Sequence, residues 1–105
     1  MIGQTWPSEM RELRDEKTGR RITQLTAQFN NVHLYFTENA FIDGANGIIF
    51  RSDRASGERR APHEHPHFNI FRLDLDSGEI TQLTDEPEPV GGTTKTPDGA
   101  LIAYS

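Results

Sequence analysis

Three histidines at alternate positions, His63, His65 and His67, sit in the run Ala61-Pro62-His63-Glu64-His65-Pro66-His67. His-x-His spacing on an extended chain sends two imidazoles to one side, and nitrogen donors suit zinc, nickel and copper. The two prolines keep the run extended or irregular, so two readings stand: a solvated loop, or an adventitious site for one of those metals. Just upstream, Arg54, Arg59 and Arg60 are cations that can meet an anionic ligand, or that simply keep a loop soluble. His33 and Tyr35 alternate within residues 32–37 and share a face of that strand pattern; they line a channel, or they pack with ring nitrogen and hydroxyl satisfied by backbone. Asp85, Glu86 and Glu88 read as a solvated acidic loop, with no carboxylate pair of the kind hydrolytic catalysis uses. Trp6 and Pro7 read as the anchor of a leader segment.

What must position these residues is bounded by size and charge. A chain of 105 residues buries about two-thirds of its unfolded surface, enough for one modest core. Sixteen acidic against eleven basic residues leave a formal charge of −5, which lacks the basic footprint that nucleic acid requires. Cysteine is absent, so disulfides are excluded. The first residues carry no apolar signal-peptide core, and nowhere do 18 uncharged apolar residues run together. The expectation is a soluble, cytoplasmic protein that touches neither nucleic acid nor membrane.

The organising feature is an internal repeat. The block ITQLT occurs at Ile22–Thr26 and again at Ile80–Thr84, 58 residues on, each time after an acidic, glycine-containing turn. A second echo links residues 43–52, DGANGIIFRS, to residues 98–105, DGALIAYS, with Gly44 and Gly99 standing 55 apart. Between these marks lie strand signals. Residues 32–37 alternate apolar and polar positions, 48–52 form a short apolar run, 68–75 alternate through Phe71, Leu73 and Leu75, and 79–84 follow a turn whose Gly78 can supply positive φ. Residues 8–14 have helical propensity, but the repeat aligns them with 68–75 and predicts a strand.

Four antiparallel strands recurring at this period define a propeller blade. The predicted fold is all-β, a β-propeller fragment of about two blades of four-stranded antiparallel sheet. Residues 9–26 are the trailing strands of one blade, 32–84 a complete blade, and 90–105 the leading strands of the next. Two blades cannot close around an axis, so the chain reads as truncated. Apolar residues on both sides of strands, as in Ile48-Ile49-Phe50 and Phe68 through Leu75, are then expected to lie bare, and self-association through open blade faces follows.

TPDGALIAYS, SDR and NIFRLDLDSGEITQLT resemble the repeats of TolB and of prolyl oligopeptidase propellers. The order of an acidic-Thr-Gly turn (Asp15, Thr18, Gly19), ITQLT, NNVHLYFTENAF, FRSDR and NIFRLDLDSGEITQLT is similar to the start of oligogalacturonate lyases, seven-bladed propellers, over residues 13–105. That resemblance implies pectin breakdown by β-elimination. A base removes the proton alpha to a uronate carboxylate, manganese neutralises that carboxylate, and the glycosidic bond leaves. In the family the metal ligands include a late Gln-x-x-His-x-His cluster, and the catalytic His and Arg lie in middle blades. None of these positions exists in this sequence, so the resemblance implies no cofactor and no catalytic residue here, Mn(2+) belonging to the full-length member. Its partner would be an acidic oligogalacturonide, met by His33, Tyr35, Arg54, Arg59 and Arg60. A TolB-like binding propeller and the gating propeller of a serine peptidase are the alternatives.

Overall fold

The computed structural model describes residues 1–34, 40–42, 44, 46–56, 66–96 and 99–105. In chain order the strands are Thr5–Trp6 (β1), Arg11–Arg14 (β2), Arg21–Gln24 (β3), Asn31–Val32 (β4), Phe41–Ile42 (β5), Gly47–Ser52 (β6), Asn69–Asp74 (β7), Ile80–Gln82 (β8), Thr93–Lys95 (β9) and Ile102–Tyr104 (β10). A 3-10 turn, Arg54–Ser56, follows β6. Among the described residues no helix is long and apolar enough to cross a membrane.

β6 and β7 form the centre of a six-stranded antiparallel sheet, running in register from Gly47 opposite Asp74 to Ser52 opposite Asn69. β4 and β5 pair with successive parts of β6, and β8 follows β7. The sheet is antiparallel, as predicted, and takes in one strand from outside residues 32–84. β1 pairs beyond β8, Thr5 opposite Thr81 and Trp6 opposite Ile80. Trp6 holds that strand in place by meeting the Phe71 ring edge-on at 5.4 Å.

The half-blades are separate hairpins, β2 with β3 and β9 with β10. Residues 11–14 are strand, as the repeat required against their helical propensity. Both acidic turns are built alike. The Asp15 N–H donates to the Arg20 carbonyl and the Gly19 N–H to the Asp15 carbonyl; Asp74 bonds Glu79 in the same way and is bonded by Gly78. Thr18 Oγ1 and the Lys17 N–H hold the Asp15 carboxyl below its ordinary range, and the N–H groups of Ser77 and Asp76 do the same for Asp74.

Counted from these aspartates, the two copies of ITQLT are one residue out of step. Leu13 stands opposite Ile22, the place that Arg72 and Thr81 hold in the other hairpin. A one-residue slip sends a side chain to the opposite face. Ile22 is accordingly 47% exposed, whereas Ile80 is fully buried.

Successive residues of a strand face opposite ways, and β6 uses both. Phe50 joins Phe71, Leu73 and Ile80 on one face, packed by Trp6, Met10 and Leu25 from the N-terminal segment. Ile49 joins Leu34 and Ile42 on the other, packed by Leu83 and Ile102. The expectation of bare blade faces is thus corrected. Ile49, Ile70, Phe71 and Leu73 show no exposure, because the half-blade segments of the same chain lie against both sides. Among the exposed apolar groups are Leu13, Ile22, Leu101 and Tyr104 of the two hairpin segments, with Phe41 on β5 and Met1 and Ile2 at the N-terminus.

Candidate functional site

Ser52, Asp53 and Arg54 leave the end of β6 and turn inward. The Asp53 carboxylate accepts from the N–H and Nδ2 of Asn30, both at 2.8 Å, and its carbonyl accepts from the Ser56 N–H and Oγ. This double fixing closes the 3-10 turn and aims Arg54 into the protein. There Nε donates to Ser52 Oγ at 3.0 Å, Nη1 to Glu9 Oε2 at 2.7 Å and Nη2 to Asn31 Oδ1 at 2.9 Å. The rings of Trp6, Phe29, Phe50 and Phe71 surround the guanidinium at 5.4 to 6.0 Å. Phe29 reaches it from a left-handed backbone, φ 65°, an unusual conformation for a bulky residue.

The side chain of Arg54 has no exposure and that of Glu9 only 8%. Burial pushes the Glu9 carboxyl up, but the Arg54 guanidinium and the Ala27 and Gln28 N–H groups outweigh it and set the carboxyl below its ordinary 4.5. A carboxylate whose folded value is depressed stabilises the fold fully above its unfolded value, and that stabilisation fades as pH falls through the folded one. The stability gap between the native chain and Glu9→Gln is therefore expected to be widest near neutrality and to shrink below pH 4.5. Urea denaturation across that range measures it; a gap that stays constant would show that Glu9 is not ionised against Arg54.

Three connections meet at the same end of the sheet. His67 Nε2 donates to the Glu86 carbonyl at 2.9 Å, Asn69 Oδ1 accepts from Thr84 Oγ1 and the Glu86 N–H, and the Arg54 network draws in residues 28–31. The segments after β3, β6 and β8 are thereby gathered at one rim. Beside it, a cavity of about 190 Å³ is lined mainly by apolar groups, including Leu25, Ile48, Phe50 and Leu73, with His33 at its edge.

The residues singled out from sequence fall differently. His33 is exposed, just past β4, with its Nδ1 donating to the Leu34 carbonyl at 2.5 Å. His67 is half-buried and ties two connections together. Arg54, expected as a cation on the loop surface, is interior and engaged by Glu9, because the 3-10 turn reverses the chain as soon as it leaves the sheet. Tyr35, Arg59, Arg60, His63 and His65 lie outside the described residues. Among the described residues no group of three or more His, Asp or Glu side chains is placed to hold a metal ion. Sequence reading passed over Glu9, Asn30 and Asn31, whose only local signal is the Asn-Asn pair ahead of a strand.

No family model and no curated protein matches the sequence. Among solved structures, an oligogalacturonate lyase in complex with manganese superposes with a TM-score of 0.80 at 21% identity, over 99% of this chain and 26% of that one. The oligogalacturonate lyase of Vibrio parahaemolyticus superposes with a TM-score of 0.78 at 18% identity, over 100% of this chain and 26% of that one. The chain thus spans about a quarter of either lyase, and at such identities the likeness is one of fold. Its antiparallel sheets are those of a β-propeller fragment, the fold it shares with a quarter of those two structures.

Proposed function

We propose that this chain forms opening blades of a propeller that cleaves acidic oligogalacturonides by β-elimination, and that its own part is to position rather than to react. The observation that supports this reading is the superposition, over nearly the whole chain, on a manganese-bound oligogalacturonate lyase. In β-elimination a base takes the proton alpha to the uronate carboxylate, the electron pair forms a ring double bond, and the glycosidic oxygen leaves. The described residues do not fit a manganese site, so no step of that chemistry is assigned to them. They hold a rim of connections at one end of the sheet, braced by the Arg54–Glu9 pair. Arg59 and Arg60 belong by sequence to the connection between β6 and β7, and they are the cations proposed to meet an anionic sugar.

The test is turnover of digalacturonate, with and without added manganese, followed by the appearance of unsaturated or keto-uronate product. The purified 105-residue chain is expected to form none, and the product of the complete reading frame is expected to form it. Turnover by the 105 residues alone, or a folded complete product that binds the sugar without cleaving it, would overturn the proposal.

A further inference from the structure

The connections after β6 and β8 enclose a pocket of about 100 Å³ at the rim, lined by Ala55, Ser56, His67, Asn69, Asp85 and Glu86. Every wall comes from residues 55–86, the central sheet's own connections, and none from the terminal hairpins. At roughly 30 Å³ for each water molecule the pocket has room for about three. It therefore admits the edge of a sugar and not the whole ring.

What the pocket offers is decided by the bonds already made around it. Asn69 is 3% exposed, and its Oδ1 accepts from Thr84 Oγ1 and from the Glu86 N–H, both at 2.9 Å. A backbone N–H can only donate, so turning the amide over would break that bond, and Nδ2 is the group left to spare. Among the described residues no acceptor meets Nδ2, yet no fully buried side-chain nitrogen or oxygen lacks a partner. The small exposure of Asn69 is thus at Nδ2, and the pocket supplies it.

The pocket also holds acceptors. His67 Nε2 donates to the Glu86 carbonyl at 2.9 Å; a carbonyl can only accept, so the proton sits on Nε2 and Nδ1 of the neutral ring is a bare acceptor. Asp85 brings a carboxylate with its side chain 55% exposed, and its pair with the Met1 ammonium, 3.8 Å away, is a surface contact of little worth.

One buried donor beside two acceptors sorts ligands by charge. A metal ion would face the Asn69 N–H, and among the described residues no three His, Asp or Glu side chains converge on one. A carboxylate or phosphate would meet the like charge of Asp85. A hydroxyl both accepts and donates, so two adjacent hydroxyls can accept from Nδ2 and give their protons to Asp85 and His67. We infer that this pocket is a subsite for the vicinal hydroxyl edge of a sugar unit. The choice of sugar rests on the lyase reading: a galacturonate unit carries adjacent ring hydroxyls as well as its carboxylate. The rim then divides them, hydroxyls to the pocket and carboxylate to Arg59 and Arg60, which lie in sequence between Ser56 and His67.

Nuclear magnetic resonance of the isotope-labelled chain tests this through the Asn69 side-chain amide. Methyl galactoside, which has the hydroxyls and no carboxylate, and digalacturonate are each expected to shift that resonance, whereas calcium chloride and inorganic phosphate are expected to leave it in place. Asp85→Ala, at an exposed position, is expected to weaken both sugars about tenfold, the effect of losing one hydrogen bond to a charged group. Glu88→Ala, an exposed acid of the same connection outside the pocket, is expected to bind as the native chain does. In the product of the complete reading frame, Asp85→Ala is expected to raise KM for digalacturonate more than it lowers kcat. Native KM in an Asp85→Ala product that still cleaves would overturn the subsite and leave the lyase reading standing. Sugar bound at Asn69 by a product that cleaves nothing would do the reverse. Shifts confined to other residues, a response of the Asn69 amide to calcium or phosphate, equal affinity in Asp85→Ala, or no shift at any sugar concentration, the pocket then holding water alone, would each overturn the inference.

Discussion

Replacing Arg54 with alanine is expected to destabilise the chain by about 3–5 kcal/mol, the range for removing one partner of a buried ion pair. The reason is the charge left behind. Glu9 is 8% exposed, and without the guanidinium it keeps only the N–H groups of Ala27 and Gln28. Asn31 Oδ1 and Ser52 Oγ lose a donor in the same step, and four aromatic rings close around an empty site. Small domains retain roughly 5–15 kcal/mol in all, so this one substitution takes much of the reserve. Urea denaturation reads it out. Arg54→Lys is expected to fall between, since an ammonium keeps the charge but cannot reproduce the planar fork that reaches Glu9, Asn31 and Ser52 together. Arg51→Ala serves as control: Arg51 is half-buried with its guanidinium 5.5 Å from the Phe68 ring centroid, and losing that contact should cost about 1 kcal/mol or less. If Arg54→Ala and Arg51→Ala denature alike, the buried pair does not hold the hairpin segment to the sheet.

That pair also explains why the rim was harder to read than the fold. ITQLT, the Asp-to-Gly turns and the alternating runs are local, because a strand's period and a hairpin's turn chemistry are set by neighbours in sequence. They located β2, β3, β6, β7 and β8 to within a residue or two. The fate of Arg54 is set by Glu9, 45 residues away, and an arginine beside a loop looks the same in sequence whether it points out or in. β1 is silent in the sequence for a similar reason. Two residues carry no periodicity, and what makes Thr5–Trp6 a strand is the free edge of β8 together with a place for Trp6 on Phe71. The covering of the central sheet has no local signal, because the segments that lie over it are distant in sequence from the residues they cover. Met10, Leu25 and Ile102 show the halves acting as lids on either side.

The equivalence of the two turns permits a sharper comparison. Gly19 and Gly78 hold the same place in matching turns, with φ of 72° and 78°, so alanine at either meets the same left-handed strain of roughly 1–2 kcal/mol. Their surroundings differ. A Cβ on Gly19 meets nothing within 4 Å, whereas one on Gly78 falls 2.1 Å from Ser8 Oγ and 2.7 Å from both Ser8 Cβ and Met10 Sδ. Ser8 and Met10 precede β2, and Met10 packs on the central cluster. Relieving the clash therefore means displacing the segment that leads into β2 from the turn it rests on. Gly78→Ala is expected to be the more destabilising by a further 1–3 kcal/mol, the usual range for overpacking, and to expose Met10. Ser8→Gly is expected to recover part of that loss, since it removes two of the three atoms in the way. Denaturation midpoints of Gly19→Ala, Gly78→Ala and Gly78→Ala with Ser8→Gly decide it. Equal midpoints for the two single variants would mean that residues 8–10 do not rest on this turn, and that the first half-blade is seated on the sheet by some other contact.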